Sequence, residues 1–325
     1  MRGIAFSLSL LGAVFVAQNA HDGVIERVKD EGVVQCGGAE RPGLAEPDLS
    51  AQSGAWRGFY VEICHAIAIA ALGPAGRFAF HSTDTQQDFD AASQAPDAVF
   101  FLTASELIAQ NLAGKLIPGP AVFYETHALI VKEHSAARRL EDLAGMRICF
   151  VTGSGAQRSL ETFFEAKHLP FLRLAFSEAD EMRDAYMAGR CDAVADESTA
   201  LARLRLQDGA KADRILPQPL AVFPVMACTA VADGKWAAVV AWTIHTLIRA
   251  DIHEGPWRAD GAKALPIEGA DLGLDHKWQA RLISKFGAYG DIYRRTLGDQ
   301  SVYGLARGLN APVQEGGLFL APYSE

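Results

Sequence analysis

Between Ala128 and Asp208 the chain alternates short apolar runs with amphipathic ones, and that alternation restricts the fold more than any other feature. ALIVKEHS, RICFV, FLRLAF and CDAVAD read as strands, and LEDLAGM, SLETFFEAKHL, EADEMRDAYMAG and STALARLRLQD read as the helices between them. Short strands alternating with helices indicate α/β layers built on a mostly parallel sheet. The first part of the chain repeats the pattern. A short helix VIERVKD leads into strand GVVQCG, a loop, and the helix GFYVEICHAIAIAALG. In that helix Ile63, Ile67 and Ala71 recur every four positions and predict one oily face, and Gly73-Pro74 predicts its stop. RFAFHST is a further strand, and a turn at Ala95-Pro96 precedes an apolar strand ending near Thr103. PLAVFPVMACTAV reads as extended, and the chain beyond Trp236 as mostly helical with an irregular tail. Two such α/β lobes predict a cleft between them, with the chain crossing near 128–133 and returning near 220–230.

The start of the chain bears on compartment. Met1-Arg2, an apolar run from Ile4 to Ala17 and small residues at Ala17 and Ala20 have the shape of a secretory signal peptide over residues 1–20, a buried N-terminal helix being the alternative. No lipobox cysteine lies near, so a lipid anchor is not expected. A formal charge of −9 with no basic stripe argues against nucleic-acid binding. WAAVVAWTIHTLI, from Trp236 to Ile248, is flanked by Lys235 and Arg249 and reads as a core helix. The five cysteines, Cys36, Cys64, Cys149, Cys191 and Cys228, contain no CxxC, and no compact His cluster accompanies them, so no metal is expected. Cys36 ends a strand and Cys64 opens the next helix, while Cys149 lies in a strand and Cys191 follows a helix. Either pair would staple neighbouring elements in an exported protein, and buried free thiols fit the same contexts.

FVTGSGAQRS, from Phe150 to Ser159, predicts a strand, a tight turn and a helix, an arrangement that presents backbone N–H groups to an anion. A phosphate loop would end in Gly-Lys-Ser/Thr; here Ala-Gln-Arg follows the glycine, so a nucleotide is disfavoured. Asp196 in AVADES follows a strand and fits either a ligand contact or a helix N-cap.

These stretches together resemble the periplasmic substrate-binding proteins of polar and general L-amino-acid ABC transporters. The resemblance rests on GVVQCG with GAWRGFYVEICHAIAIAALG, on DLAGMRICFVTGSGAQRSLETFF, on EMRDAYMAGRCDAVADESTAL, and on the tail LGLDHKWQARLISKFGAYGDIYRRTLG with ARGLNAPVQEGGLFLAPY. It covers essentially the whole mature chain. It implies a two-lobed type II periplasmic binding protein fold with a helical C-terminal extension. Lobe I would comprise residues 21–127 and 226–325, and lobe II residues 128–225. It implies intralobe disulfides Cys36–Cys64 and Cys149–Cys191, a ligand turn at Gly153, Ser154, Gly155 and Ala156, and a role for Asp196 in accepting hydrogen bonds from a ligand ammonium. It also implies a periplasmic location, a small polar solute and a membrane ABC permease as partners, a monomer, and neither cofactor nor catalysis.

One departure from the family pattern bears on the ligand. The family carries a stretch like S-R-N-T-T-W-T-x-x-R-D whose last Arg clamps the ligand carboxylate. Here FFLTASELIAQN takes its place, the clamp falls near Ala109, and no Arg or Lys lies between Arg77 and Lys115. The family's Gly-Phe motif is replaced by Leu44-Ala45-Glu46. Thr103 and Ser105 remain as polar ligands, with Arg41 as a substitute cation, Glu106 as an acid, and Tyr60 and Phe101 as apolar surface. With Glu106 and Asp196 both in the cleft, a ligand of positive character would be favoured. Two alternatives share this scaffold: a sensor or interaction module, and a dehydratase of the cyclohexadienyl type with Glu106 as its acid.

Overall fold

The computed structural model describes residues 23–51, 54–95, 97–230, 233–252 and 267–320. The signal-peptide reading and Pro96 of the predicted turn lie outside the described residues. In chain order the first elements are α1 (Val24–Glu31), β1 (Val33–Gly38), β2 (Glu46–Pro47), β3 (Trp56–Arg57), α2 (Phe59–Leu72), β4 (Arg77–Ser82), α3 (Gln86–Ala92), β5 (Val99–Thr103) and α4 (Ala104–Ala109). A long strand β6 (Leu116–Val131) leads to β7 (Arg147–Val151), α5 (Gly155–Ala166), β8 (Leu172–Phe176), α6 (Ala179–Met187), β9 (Ala193–Glu197), α7 (Ser198–Leu204) and β10 (Arg214–Ile215). The chain returns along β11 (Ala221–Ala230) and ends with α8 (Gly234–Ile252), α9 (Trp278–Phe286) and α10 (Tyr289–Thr296) before an irregular tail.

Both lobes are mixed α/β, with parallel pairs at their centres. In the first, β1 pairs in parallel with β4 and β5; in the second, β7 pairs in parallel with β8 and β9. The two crossing strands join them. β11 runs antiparallel to β6 from Ala230 opposite Leu116 to Ala221 opposite His127, and also pairs with β5. The far end of β6 pairs antiparallel with β9 and β10. β6 thus changes partners along its length: Leu116 to His127 pairs with β11, and His127 to Val131 pairs with β9.

The helix predicted with one oily face is buried nearly all round. Ile63, Ile67 and Ala71 are buried as expected, but so are Phe59, Tyr60, Ala66, Ala68 and Ile69, because α2 packs on β1 and β4 on one side and on α8 and α9 on the other. Gly73 ends it, with its N–H on the Ile69 carbonyl. The Trp236–Ile248 stretch lies within α8, which buries Trp236, Val240, Ile244 and Leu247 in the core of lobe I. Among the described residues no helix is long and apolar enough to cross a membrane.

Each lobe carries one disulfide. Cys36 of β1 is bonded to Cys64 of α2, and Cys149 of β7 to Cys191, with Cα separations of 6.2 and 5.8 Å. The contexts had left free thiols open for these four; Cys228 on β11 is the free one, fully buried against Phe100 and Leu102 of β5, and burial pushes its thiol up to about 12.

The tail does more than extend lobe I. The Asn310 side chain brackets the backbone of Tyr124, accepting from its N–H at 2.7 Å and donating to its carbonyl at 3.0 Å. The Tyr303 hydroxyl donates to Glu46 of lobe I. The same stretch reaches lobe II, where Tyr303 and Leu305 pack on Ala202 and Arg205 donates to the carbonyls of Tyr303 and Gly304.

Candidate functional site

A cavity of about 510 Å³ lies between the lobes. The C-terminal end of β5 and the start of α4 form one wall. Thr103 caps α4, taking the Glu106 N–H on its hydroxyl, while the Glu106 carboxylate accepts from the Thr103 N–H and hydroxyl at 2.7 and 2.8 Å. The capping box fixes Glu106 at the cavity edge. Beside it the rings of Tyr60 and Phe101 stack at 4.9 Å. Burial, with Glu125 and Glu106 nearby, raises the Tyr60 hydroxyl well above its ordinary value, so the platform is neutral.

The opposite wall is helix α5. Gly155, Arg158, Ser159 and Thr162 all line the cavity, one helical stripe at i, i+3, i+4 and i+7. A Cβ at Gly155 would lie 2.7 Å from the His127 ring, so a larger residue there would push the ring aside. Arg158 donates to the Gly153 carbonyl at 2.9 Å and, among the described residues, has no carboxylate partner in an ion pair.

The floor is the crossing strand β6, whose alternation places Glu125 and His127 on the cavity. The buried Glu125 carboxylate accepts from the Ser198 N–H and hydroxyl, the Thr199 hydroxyl and the Thr126 N–H. Burial, and then the negative Glu197, push it up to about 7 against those bonds. His127 shares a hydrogen bond with Ser159 at 2.8 Å and packs on Phe223. Burial and the nearby Arg158 charge push its imidazole down to about 4, so the ring is neutral.

Arg41 closes the mouth. Its guanidinium reaches Glu197 of lobe II at 3.0 Å and Asp84 of lobe I at 3.7 Å, an ion pair across the cleft. Burial works against that charge, but Glu197, Glu106 and Asp84 together raise it above its ordinary value.

Of the residues singled out in the sequence, Arg41, Tyr60, Phe101, Thr103, Ser105, Glu106 and Gly155 line the cavity; Gly153, Ser154, Ala156 and Asp196 do not. Ser154 spends its hydroxyl as the N-cap of α5, accepting from the Gln157 N–H at 3.1 Å, and the Gly153 N–H donates to the Gln157 side chain. Gly153 makes the turn with φ 76°, where glycine is favoured. Asp196 sits opposite Ala128, and its neighbour Glu197 sits opposite His127 on the cavity face. Burial pushes Asp196 up to about 6, and it accepts from the Glu197 N–H. Sequence reasoning missed Glu125, His127, Arg158, Ser159, Thr162 and Glu197.

The fold and the cleft agree with known proteins. No protein-family model matches the chain. The general L-amino acid-binding periplasmic protein AapJ of Rhizobium johnstonii is 30% identical over 312 residues, 91% of each chain. The glutamate/glutamine/aspartate/asparagine-binding protein BztA of Rhodobacter capsulatus is 26% identical over 99% of each. Among solved structures, a periplasmic binding protein of an ABC transporter from Brucella ovis with glutathione bound is 28% identical, with a TM-score of 0.71, covering 93% of this chain and 99% of that one. Two α/β lobes joined by two crossing strands, in a chain aligned over nine tenths of its length with AapJ, are the architecture of a receptor that binds its solute between the lobes. The chain belongs to the family of periplasmic solute-binding proteins of amino-acid ABC transporters.

Proposed function

We propose that the cleft binds a zwitterionic amino acid or a short γ-linked peptide, with its carboxylate held from lobe II by Arg158 instead of from lobe I. The observation that carries this reading is the Arg158 guanidinium, which faces the cavity and, among the described residues, has only a backbone carbonyl as partner. A carboxylate enclosed in a closed cleft needs a charged donor, and a guanidinium meets it in bidentate geometry. Arg41 is already engaged by Glu197 and Asp84, so it acts as an interlobe latch. Glu106 and Glu197 supply the negative side that an ammonium requires. A cavity of about 510 Å³ has room for more than a single small amino acid, AapJ is a general L-amino acid-binding protein, and the Brucella ovis protein holds glutathione.

In this reading residues 1–20 form the leader, the lobes divide at 127/128 and 225/226, and the receptor is a monomer that delivers its solute to a cognate permease. Thermal-shift and calorimetric titration of ligand-stripped protein with the common L-amino acids and glutathione tests it, since a ligand of the native state raises apparent stability. Stabilisation by an α-carboxylate ligand that is lost in Arg158→Ala is the expected result. Stabilisation by amines alone, or by none of the panel, would overturn it.

A further inference from the structure

A second cavity, of about 690 Å³, lies on the other side of the hinge. Strand β6 separates the two: Glu125 and His127 face the cleft, while Tyr124, Thr126 and Ala128 line the cavity behind. Lobe II supplies its second side through α7 and residues 211–219, and the tail from Gly304 to Asn310 covers it.

The charge of this second cavity is one-sided. Arg138, Arg205, Lys211, Arg214 and Arg307 line it, against the single carboxylate of Asp213. Asp213 is already spent on the Tyr186 hydroxyl, Lys132 and the Glu133 N–H. Arg205 donates only to the carbonyls of Tyr303 and Gly304, and Arg214 only to those of Ser135 and Ala137. The Nε groups of both lack an acceptor. Arg138 likewise donates to carbonyls, at Ser135 and Ala137. Arg307 is paired with Asp251 and Lys211 with the exposed Asp208. Among the described residues, three guanidinium groups at one cavity are thus held by neutral oxygens alone. Guanidinium groups with unneutralised charge, gathered at one cavity, favour an anion over water.

We infer that the cavity behind the hinge binds a small multivalent anion bearing carboxylate or phosphate groups, held by Arg205 and Arg214 with Lys211 and Arg138 at its rim. Such a ligand would touch lobe II, the crossing strand and the lobe I tail together. It is independent of the solute in the cleft, and its test uses protein with the cleft empty.

The test is calorimetric titration of the ligand-stripped full mature chain at low ionic strength with citrate and, separately, inorganic pyrophosphate. Saturable one-site binding of either is expected, weakened about tenfold or more in Arg205→Gln/Arg214→Gln. Because Arg205 ties the tail to α7, a second variant, Arg138→Gln/Lys211→Gln, removes rim charge and leaves that tie in place; it should weaken binding as well. Binding of pyrophosphate alone identifies phosphate as the recognised group, and of citrate alone, carboxylate. Absence of saturable binding to both overturns the inference. So does binding that survives both double variants, or that is lost in the cleft variant Arg158→Ala.

Discussion

The two walls of the cleft are built alike and equipped differently. Each is the C-terminal end of a parallel strand running into a helix whose first residue is capped by a hydroxyl, Thr103 on α4 and Ser154 on α5. On the lobe I wall the polar groups satisfy one another: the Glu106 carboxylate is turned back onto Thr103. On the lobe II wall a stripe of α5 points Arg158, which has no carboxylate partner among the described residues, and a Ser159–His127 pair into the cavity. The scaffold constrains where side chains can project, and either wall can supply the cation. Loss of a clamp from one wall therefore does not by itself end recognition.

The largest expected effect tests whether the lobes are equally dependent on their staples. Replacing Cys149 and Cys191 by alanine opens a loop of 42 residues, against 28 for Cys36 and Cys64. Chain-entropy reasoning gives a loss of about 4 kcal/mol for the longer loop and slightly less for the shorter. Denaturant unfolding of both double variants would show this, and equal stability to the parent in either would break the comparison.

Next comes the cation. Arg158→Ala should weaken the best amino-acid ligand about 100-fold, as expected when a charged partner of a carboxylate is truncated. Arg41→Ala should cost less, about tenfold, because it removes a latch and no ligand contact. A reversed order in calorimetric titration would return the clamp to lobe I.

A smaller effect lies on the strand between the walls. The folded-state pKa of Glu125, about 7, is above its ordinary 4.5, so the folded chain holds the extra proton and stability falls as pH rises through that window. His127 is the opposite case: at about 4 against 6.5, the unfolded chain binds more protons and stability rises with pH. The two slopes oppose each other on one face of β6. Relative to the parent, Glu125→Gln should therefore add an upward slope of stability from pH 4.5 to 6.5, and His127→Gln a downward one. Each change is on the order of 1–2 kcal/mol after allowance for solvent screening. Unfolding midpoints at pH 5, 6 and 7 would detect both, and parallel profiles would sink the assignment.

The smallest effect concerns the caps. Thr103→Ala and Ser154→Ala should each cost about 1 kcal/mol of stability. Ser154→Ala should leave ligand affinity within about threefold, because its hydroxyl serves the Gln157 N–H. A larger loss of affinity would place Ser154 on the ligand after all.

Much of the scaffold was legible from local signals. Gly73 stops α2 where expected, and the alternation of RICFV, FLRLAF and CDAVAD marks real strands. The site was only partly legible, because its remaining information is relational. On β9, a single residue of phase decides whether Asp196 or Glu197 faces the cleft, and that phase is set by pairing with His127 on β6, more than sixty residues away. Arg158 was within reach: once Gly155 is placed on the cleft, helical spacing carries Arg158, Ser159 and Thr162 with it. Glu125 and His127 were hidden because β6 begins at Leu116, in a stretch with two prolines that does not read as a strand. The contact of Tyr303 and Leu305 with lobe II had no local signal at all.

Cys228 offers a consequence of its own. It is the one free thiol among the described residues, and it sits on the strand threaded between β5 and β6. While that strand is seated, a thiol-reactive dye meets neither an accessible sulfur nor a thiolate, since burial holds the group near 12. Labelling can proceed only when the cluster of Phe89, Phe100, Leu107 and Leu112 around it opens. The chain thus carries a native clock: the rate at which it takes up a small alkylating reagent counts the openings of lobe I around Cys228.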